Sequence, residues 1–188
     1  MSVYDVAVAL VAIVLGAVGG FAYARHRRAR RNAGAGRVRR ILLPFTGTAI
    51  SRRSLDAALR LARAEDATLV PAFLATVPRH LPLDAAVPGQ CGIGMPLLEA
   101  IEQVAASAEI PVDARIGRGR TYRHALALLL EEEPVDRVIV PAAGDTRTGL
   151  SGDDLVWLLE RAPAEVLILR PGFSDDRRVT GEAVKGHF

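Results

Sequence analysis

Between Val38 and Pro171, five short runs of branched and leucine residues are separated by four longer stretches with apolar residues at helical spacing. The runs are "VRRILLPF" (38–45), "TLVPAFLA" (68–75), "PVDARI" (111–116), "VDRVIVPAA" (135–143) and "EVLILRP" (165–171). Between them, Leu55, Leu59 and Ala62 share one helix face behind Ser51, a suitable cap. Leu97, Ile101, Val104 and Ala108 share a second, Leu126, Leu129 and Leu130 a third, and "GDDLVWLLERA" (152–162) forms the fourth helix. Strands joined by crossover helices predict an α/β fold: a five-stranded parallel sheet with helices on both faces. The composition agrees, because half of the chain is apolar and only 5% is aromatic.

Three details qualify that plan. Pro71 inside the second run predicts a bulge or an exposed edge. Residues 76–94, "TVPRHLPLDAAVPGQCGIG", predict a long loop, and the polar tail 172–188 predicts disorder. A ligand of such a sheet belongs beyond the carboxyl ends of the strands at a switch point. The loops Pro44–Thr48 and Ala142–Gly152 are the candidates.

Residues 6–24, "VAVALVAIVLGAVGGFAYA", form an uncharged run that as a helix spans about 28 Å, near the thickness of a bilayer core. A signal peptide carries its positive charge before the apolar core, whereas here only Asp5 precedes it and the arginines follow. A transmembrane anchor is therefore expected over residues 1–24, and a basic tether over 25–37. By the positive-inside rule the N-terminus lies outside and the domain at 38–171 lies on the cytoplasmic side of an inner membrane. Arg25 to Arg31 suit anionic headgroups. Ala12, Gly16, Gly20 and Ala24 make a small-residue face suited to self-association or to another membrane protein, although small residues are common in membrane spans.

The sequence pI of 9.6 does not imply nucleic acid. Residues 24–40 hold eight arginines and no acid, which leaves the remainder of the domain net acidic without a basic face. Arginine outnumbers lysine 23 to 1, as expected of a GC-rich genome. A sole cysteine, Cys91, excludes an internal disulfide, and its loop offers either packing or redox sensing. The scattered histidines suggest no metal, and no Ser/His/Asp arrangement or acidic pair points to catalysis.

In order and spacing, "RRILLPFTGTAISRRSLDAALRLARAEDATLV", "ARIGRGRTYRHAL", "DRVIVPAAG" and "LERAPAEVLILRP" resemble a universal stress protein domain over about residues 38–171. The resemblance implies dimerisation through the last strand, "VLILRP". In ATP-binding members of that family an Asp follows the first strand and a G-x2-G-x9-G-S/T loop follows the fourth. Its glycines bring backbone N–H groups to the phosphates. The matching positions here are Thr46 and Gly47 after the first strand, and Gly144, Arg147 and Gly152 in the loop. Thr46 replaces the Asp, Arg147 replaces the second glycine, and four residues separate Arg147 from Gly152. Asp153 stands where Ser or Thr belongs, and as a helix cap it would put negative charge where phosphate lies.

These departures predict that the loop is a phosphate cradle closed by its own carboxylates, with no cofactor and with ATP disfavoured. The expected function is a membrane-tethered, non-catalytic binding or regulatory module acting on a membrane protein assembly. The alternative is a nucleotide-sensing domain that takes ATP or another adenine nucleotide with Arg147 and Arg118, provided that Asp153 points to solvent. "GRGRTYRHAL" (117–126) is either a tight turn that needs glycine or, through Arg118, Arg120 and Arg123, an anion patch.

Overall fold

The computed structural model describes residues 39–141, 150–169 and 178–180. The expected membrane helix with Ala12, Gly16, Gly20 and Ala24, the Arg25–Arg31 cluster, and Gly144 and Arg147 lie outside the described residues. Among the described residues no helix is long and apolar enough to cross a membrane.

The elements follow in the order β1 (Arg40–Phe45), β2 (Ala49–Ser51), α1 (Arg52–Glu65), β3 (Thr68–Thr76), α2 (Pro88–Ser107), β4 (Arg115–Gly119), α3 (Tyr122–Glu132), β5 (Arg137–Pro141), α4 (Gly152–Arg161), β6 (Glu165–Leu169) and β7 (Arg178–Thr180). Five of them form a parallel sheet, as the alternating pattern predicts, and their order is β4-β3-β1-β5-β6. Successive side chains of a strand point to opposite faces, and here both faces are covered. Ile41, Leu43, Phe45, Leu69 and Phe73 pack with Leu55, Leu59, Leu97 and Ile101 of α1 and α2. Leu42, Val70, Leu74, Val138 and Val140 pack with Leu126, Leu129 and Leu158 of α3 and α4. Double coverage explains why β1 reads as an unbroken apolar run.

At the amino ends of the strands, Arg40 bridges Asp113 at 2.7 Å and Glu133 at 2.9 Å. Arg115 contacts the same two carboxylates. This partly buried network joins β1, β4 and the end of α3 at the end of the sheet opposite the expected site.

Several expectations need correction. Pro71 lies on neither an edge nor a bulge: β3 is an interior strand, and Pro71 pairs in register with Leu43. Its missing N–H falls on the β4 side, where pairing is limited to a bridge at Leu69–Val112 until Ala72 meets Arg115. The expected loop 76–94 is shorter, because α2 starts at Pro88. Proline is suited to a first turn, and packing overrides the poor helix propensity of the glycines. A Cβ on Gly94 would stand 2.4 Å from the Phe73 ring, so that ring lies flat against the helix.

The third strand of the sequence reading is shifted as well. β4 is Arg115–Gly119 rather than 111–116, so Gly117 and Gly119 belong to the strand and not to a turn. A Cβ on Gly119 would come within 2.2 Å of the Ala125 amide nitrogen, which shows how closely α3 lies on the strand. Finally, the tail is not wholly without structure. Arg178–Thr180 pairs antiparallel with Ala49–Ser51, a short strand inside what the sequence suggested was the approach to the first helix.

Candidate functional site

The sheet turns back on itself between β1 and β5. From β1 the chain moves outward through β3 to β4, then returns to β5 and moves the other way to β6. The carboxyl ends of β1 and β5 are therefore the switch point. Backbone geometry opens it. The Arg40 carbonyl accepts from the Asp136 N–H, so peptide groups of alternate residues from Arg40 onward, Leu42 and Pro44, face β5. Paired register with β5 ends at Leu42–Val138, and at Pro44 no N–H exists to continue it. Beyond it Gly47 adopts a positive φ of 76°, a turn that favours glycine.

Thr46 sits at this opening and is only 1% exposed. Its Oγ1 is buried and has no hydrogen-bond partner among the described residues. A buried hydroxyl without a partner costs free energy. It is the one unusual polar group at the end of β1, and it falls where the family resemblance places a ligand-binding residue.

Across the switch point stands the first turn of α4. The helix cap is Ser151, not Asp153 as the sequence suggested. The Asp154 N–H donates to Ser151 Oγ at 3.2 Å, and Ser151 Oγ donates to Asp154 Oδ2 at 2.6 Å. The Ser151 N–H also reaches Asp154 Oδ2, at 3.4 Å, which completes a reciprocal capping box. Asp153 is exposed and Gly152 opens onto free space. The carboxylate that closes this terminus is thus the neighbour of the expected one. The sequence signal was present: S-x-x-D is a capping-box spacing, with Asp in place of the usual Glu.

Asp154 has a second partner. Arg123 Nε donates to its Oδ1 at 2.9 Å, and the guanidinium lies 5.9 Å from the centre of the Trp157 ring. Burial of the Asp154 carboxyl opposes its ionisation, but hydrogen bonds from Ser151 and Arg123 outweigh this and lower its pKa below the ordinary 3.8. The carboxylate stays charged, at a helix end where a phosphate would otherwise be attracted.

The arginines of 117–126 are not gathered into an anion patch. Arg123 is engaged by Asp154, and Arg120 Nη1 donates to the carbonyls of Val77 at 3.3 Å and Pro78 at 2.5 Å. Arg118 is exposed on the edge strand β4, along a groove lined by Leu83, Asp84 and Leu128. Cys91 is partly buried on α2 and packs against the core. Sequence reasoning missed Gln90, whose side chain grips the end of β3. Its Oε1 accepts from the Thr76 N–H and its Nε2 donates to the Thr76 carbonyl, both at 2.7 Å.

The chain is similar to a universal stress protein family member from Burkholderia pseudomallei, at 20% identity and a TM-score of 0.54, over 69% of this chain and 94% of that one. The fold is that of the universal stress proteins. A universal stress family protein from Arabidopsis thaliana with AMP bound aligns at 13% identity and a TM-score of 0.54, over 74% of this chain and 95% of that one. A universal stress protein in complex with cAMP aligns at 20% identity and a TM-score of 0.52, over 72% and 98%. No family model matches the sequence, and no curated protein matches it. The five-stranded sheet of universal stress type therefore agrees with the resemblance that the sequence carries.

Proposed function

We propose that this chain is a membrane-tethered, non-catalytic binding module of universal stress type, whose ancestral phosphate cradle is closed by its own side chains. The observation that carries this reading is the Ser151–Asp154 capping box at the start of α4. The backbone N–H groups of Ser151 and Asp154 are bonded within the capping box, and a carboxylate held ionised by its bonds to Ser151 and Arg123 stands beside them. The uncharged run 6–24 and the Arg25–Arg31 cluster support a single inner-membrane anchor with the domain on the cytoplasmic side. The anchor's small-residue face and the exposed edge of β6 are the surfaces for a membrane partner and for a second copy of the chain.

The test is calorimetry on the full chain in detergent micelles with ATP, ADP and AMP in the presence of Mg²⁺, beside Asp154→Ser. The expected result is no binding by the wild type and a gain of affinity in the variant. Micromolar binding by the wild type would overturn the closed-cradle reading.

A second reading, an adenine-nucleotide sensor, draws on the unpartnered Thr46 hydroxyl and on the two similar folds seen with AMP and cAMP. AMP and cAMP carry a single phosphate and need less of the cradle than ATP does. Wild-type binding of AMP or cAMP with ATP excluded would favour it.

A further inference from the structure

β4 is an edge strand, and no strand among the described residues pairs with its outer side. The Asp113 N–H donates to the Leu69 carbonyl and the Val77 N–H donates to the Gly119 carbonyl. Odd-numbered residues of this segment therefore turn their peptide groups toward β3. The N–H and C=O groups of Ile116 and Arg118 point outward, two donors and two acceptors. None of the four is bonded among the described residues.

This edge lines a groove of about 410 Å³. Along one side stands α3, with Leu128, Leu129 and Glu132; along the other stands the segment after β3, with Leu83 and Asp84. Leu83 packs with the core on the α1 and α2 side, and Leu129 with the core on the α3 and α4 side. The strand edge thus has a wall on each face of the sheet. An edge recessed in this way admits a lone strand. A second copy would bring an equally recessed edge, and the walls would meet before the strands do.

Charge narrows the choice of strand. Asp113 and Glu133, at the amino end of β4, are both held by Arg40 and Arg115. In the groove, Asp84, Glu132 and Arg118 have no ion-pair partner among the described residues. Two free carboxylates to one guanidinium favour a basic occupant, and the leucines beside them favour apolar neighbours.

We propose that the outer edge of β4 takes up an extended peptide of a partner protein as an added strand, one that carries Lys or Arg between apolar residues. Main-chain bonds to Ile116 and Arg118 hold it, and its side chains point alternately to the two walls. The proposal does not depend on the closed cradle, because β3 lies between β4 and the switch point.

The probe is a fluorescein-labelled pentapeptide of alternating valine and lysine, matched to the five residues of β4. Its binding to the full chain in non-ionic detergent micelles is read by fluorescence polarisation. Wild type should bind it, and the same peptide N-methylated along its backbone should bind at least tenfold more weakly. Arg118→Pro removes an outward N–H that the ladder with β3 does not use. It should bind the probe at least tenfold more weakly than Arg118→Ala, which loses the same charge. Asp84→Lys combined with Glu132→Lys should weaken binding by a similar factor. Amide exchange at Ile116 and Arg118 should slow in the complex. If Arg118→Pro fails to fold, the N-methylated peptide on wild type decides. No binding by wild type, or equal binding of the N-methylated peptide, would overturn the proposal. Should Arg118→Pro instead turn a dimer into a monomer in sedimentation, the edge belongs to a second copy and the proposal falls.

Discussion

Arg123 on α3 donates from Nε to Oδ1 of Asp154 in the first turn of α4, at 2.9 Å. Two helices covering the same face of the sheet are joined at the point where a phosphate-binding terminus would begin. The contact also joins two halves of the sequence that read separately as an anion patch and a phosphate loop. Each charge meets one of the opposite sign, and the Arg123 Nε–H is taken up by the carboxylate.

Asp154 makes the capping box dependent on pH. Its pKa is lowered in the folded chain, so its stabilisation is full above the ordinary carboxylate value of 3.8 and is lost as pH falls through the lowered one. Asp154→Asn should cost about 1–2 kcal/mol near neutral pH, from the cap and the charge-assisted bond together. The gap between variant and wild type should close in strong acid. Urea denaturation of both proteins at the two pH values checks this; a gap that persists in acid would place the effect outside the carboxylate's charge.

The glycines should separate sharply by position. Gly119→Ala puts a Cβ 2.2 Å from the Ala125 amide nitrogen, a backbone atom that cannot rotate away. It should destabilise by about 3 kcal/mol or more, the upper end for overpacking. Gly152→Ala meets nothing within 4 Å at the start of α4 and should be neutral or slightly stabilising. Thermal denaturation of the two variants side by side decides, and equal losses would contradict the close packing of α3 on β4.

The periodic parts of this fold were legible in the sequence. Buried strands such as Ile41–Phe45 and Val138–Val140 announce themselves by runs of apolar residues, and α1 by its one-sided leucines. What was not legible depends on atoms distant in sequence. Gly117 and Gly119 read as a turn because local propensity favours one there, whereas α3 demands glycine in the strand. The start of α2 was hidden by Pro88 and its glycines, of which only Gly94 packs against Phe73. The cap was placed at Asp153 rather than Ser151, because only the geometry of the first turn decides which of the two aspartates reaches the serine. Gln90 had no signal, because a side chain that substitutes for a missing strand is visible only once the strand's end is known.

Thr46 offers a test of the opening itself. Its hydroxyl is buried with no partner among the described residues, so Thr46→Val replaces a costly polar group with a methyl of similar shape. The variant should be more stable by about 1 kcal/mol, measured by urea denaturation. A loss of stability would mean that the hydroxyl has a partner that satisfies it in solution.

The far edge of the sheet predicts assembly. β6 pairs with β5, and no strand among the described residues pairs with its other edge, where Ile168 is 38% exposed. On α4, the helix that leads into β6, Val156 and Leu159 are large apolar side chains 56% and 60% exposed. Such an edge invites pairing with another strand, and a second copy of the same edge supplies one with the same apolar flank. Ile168→Lys adds charge to the edge, and Leu159→Glu adds it to the flank. Each should convert a dimer to monomer in analytical ultracentrifugation of the full chain in matched detergent while leaving the thermal midpoint of the domain within a few degrees. If both variants sediment as the wild type does, β6 is not the contact. If only Leu159→Glu dissociates, the helix flank carries the association and the strand edge does not.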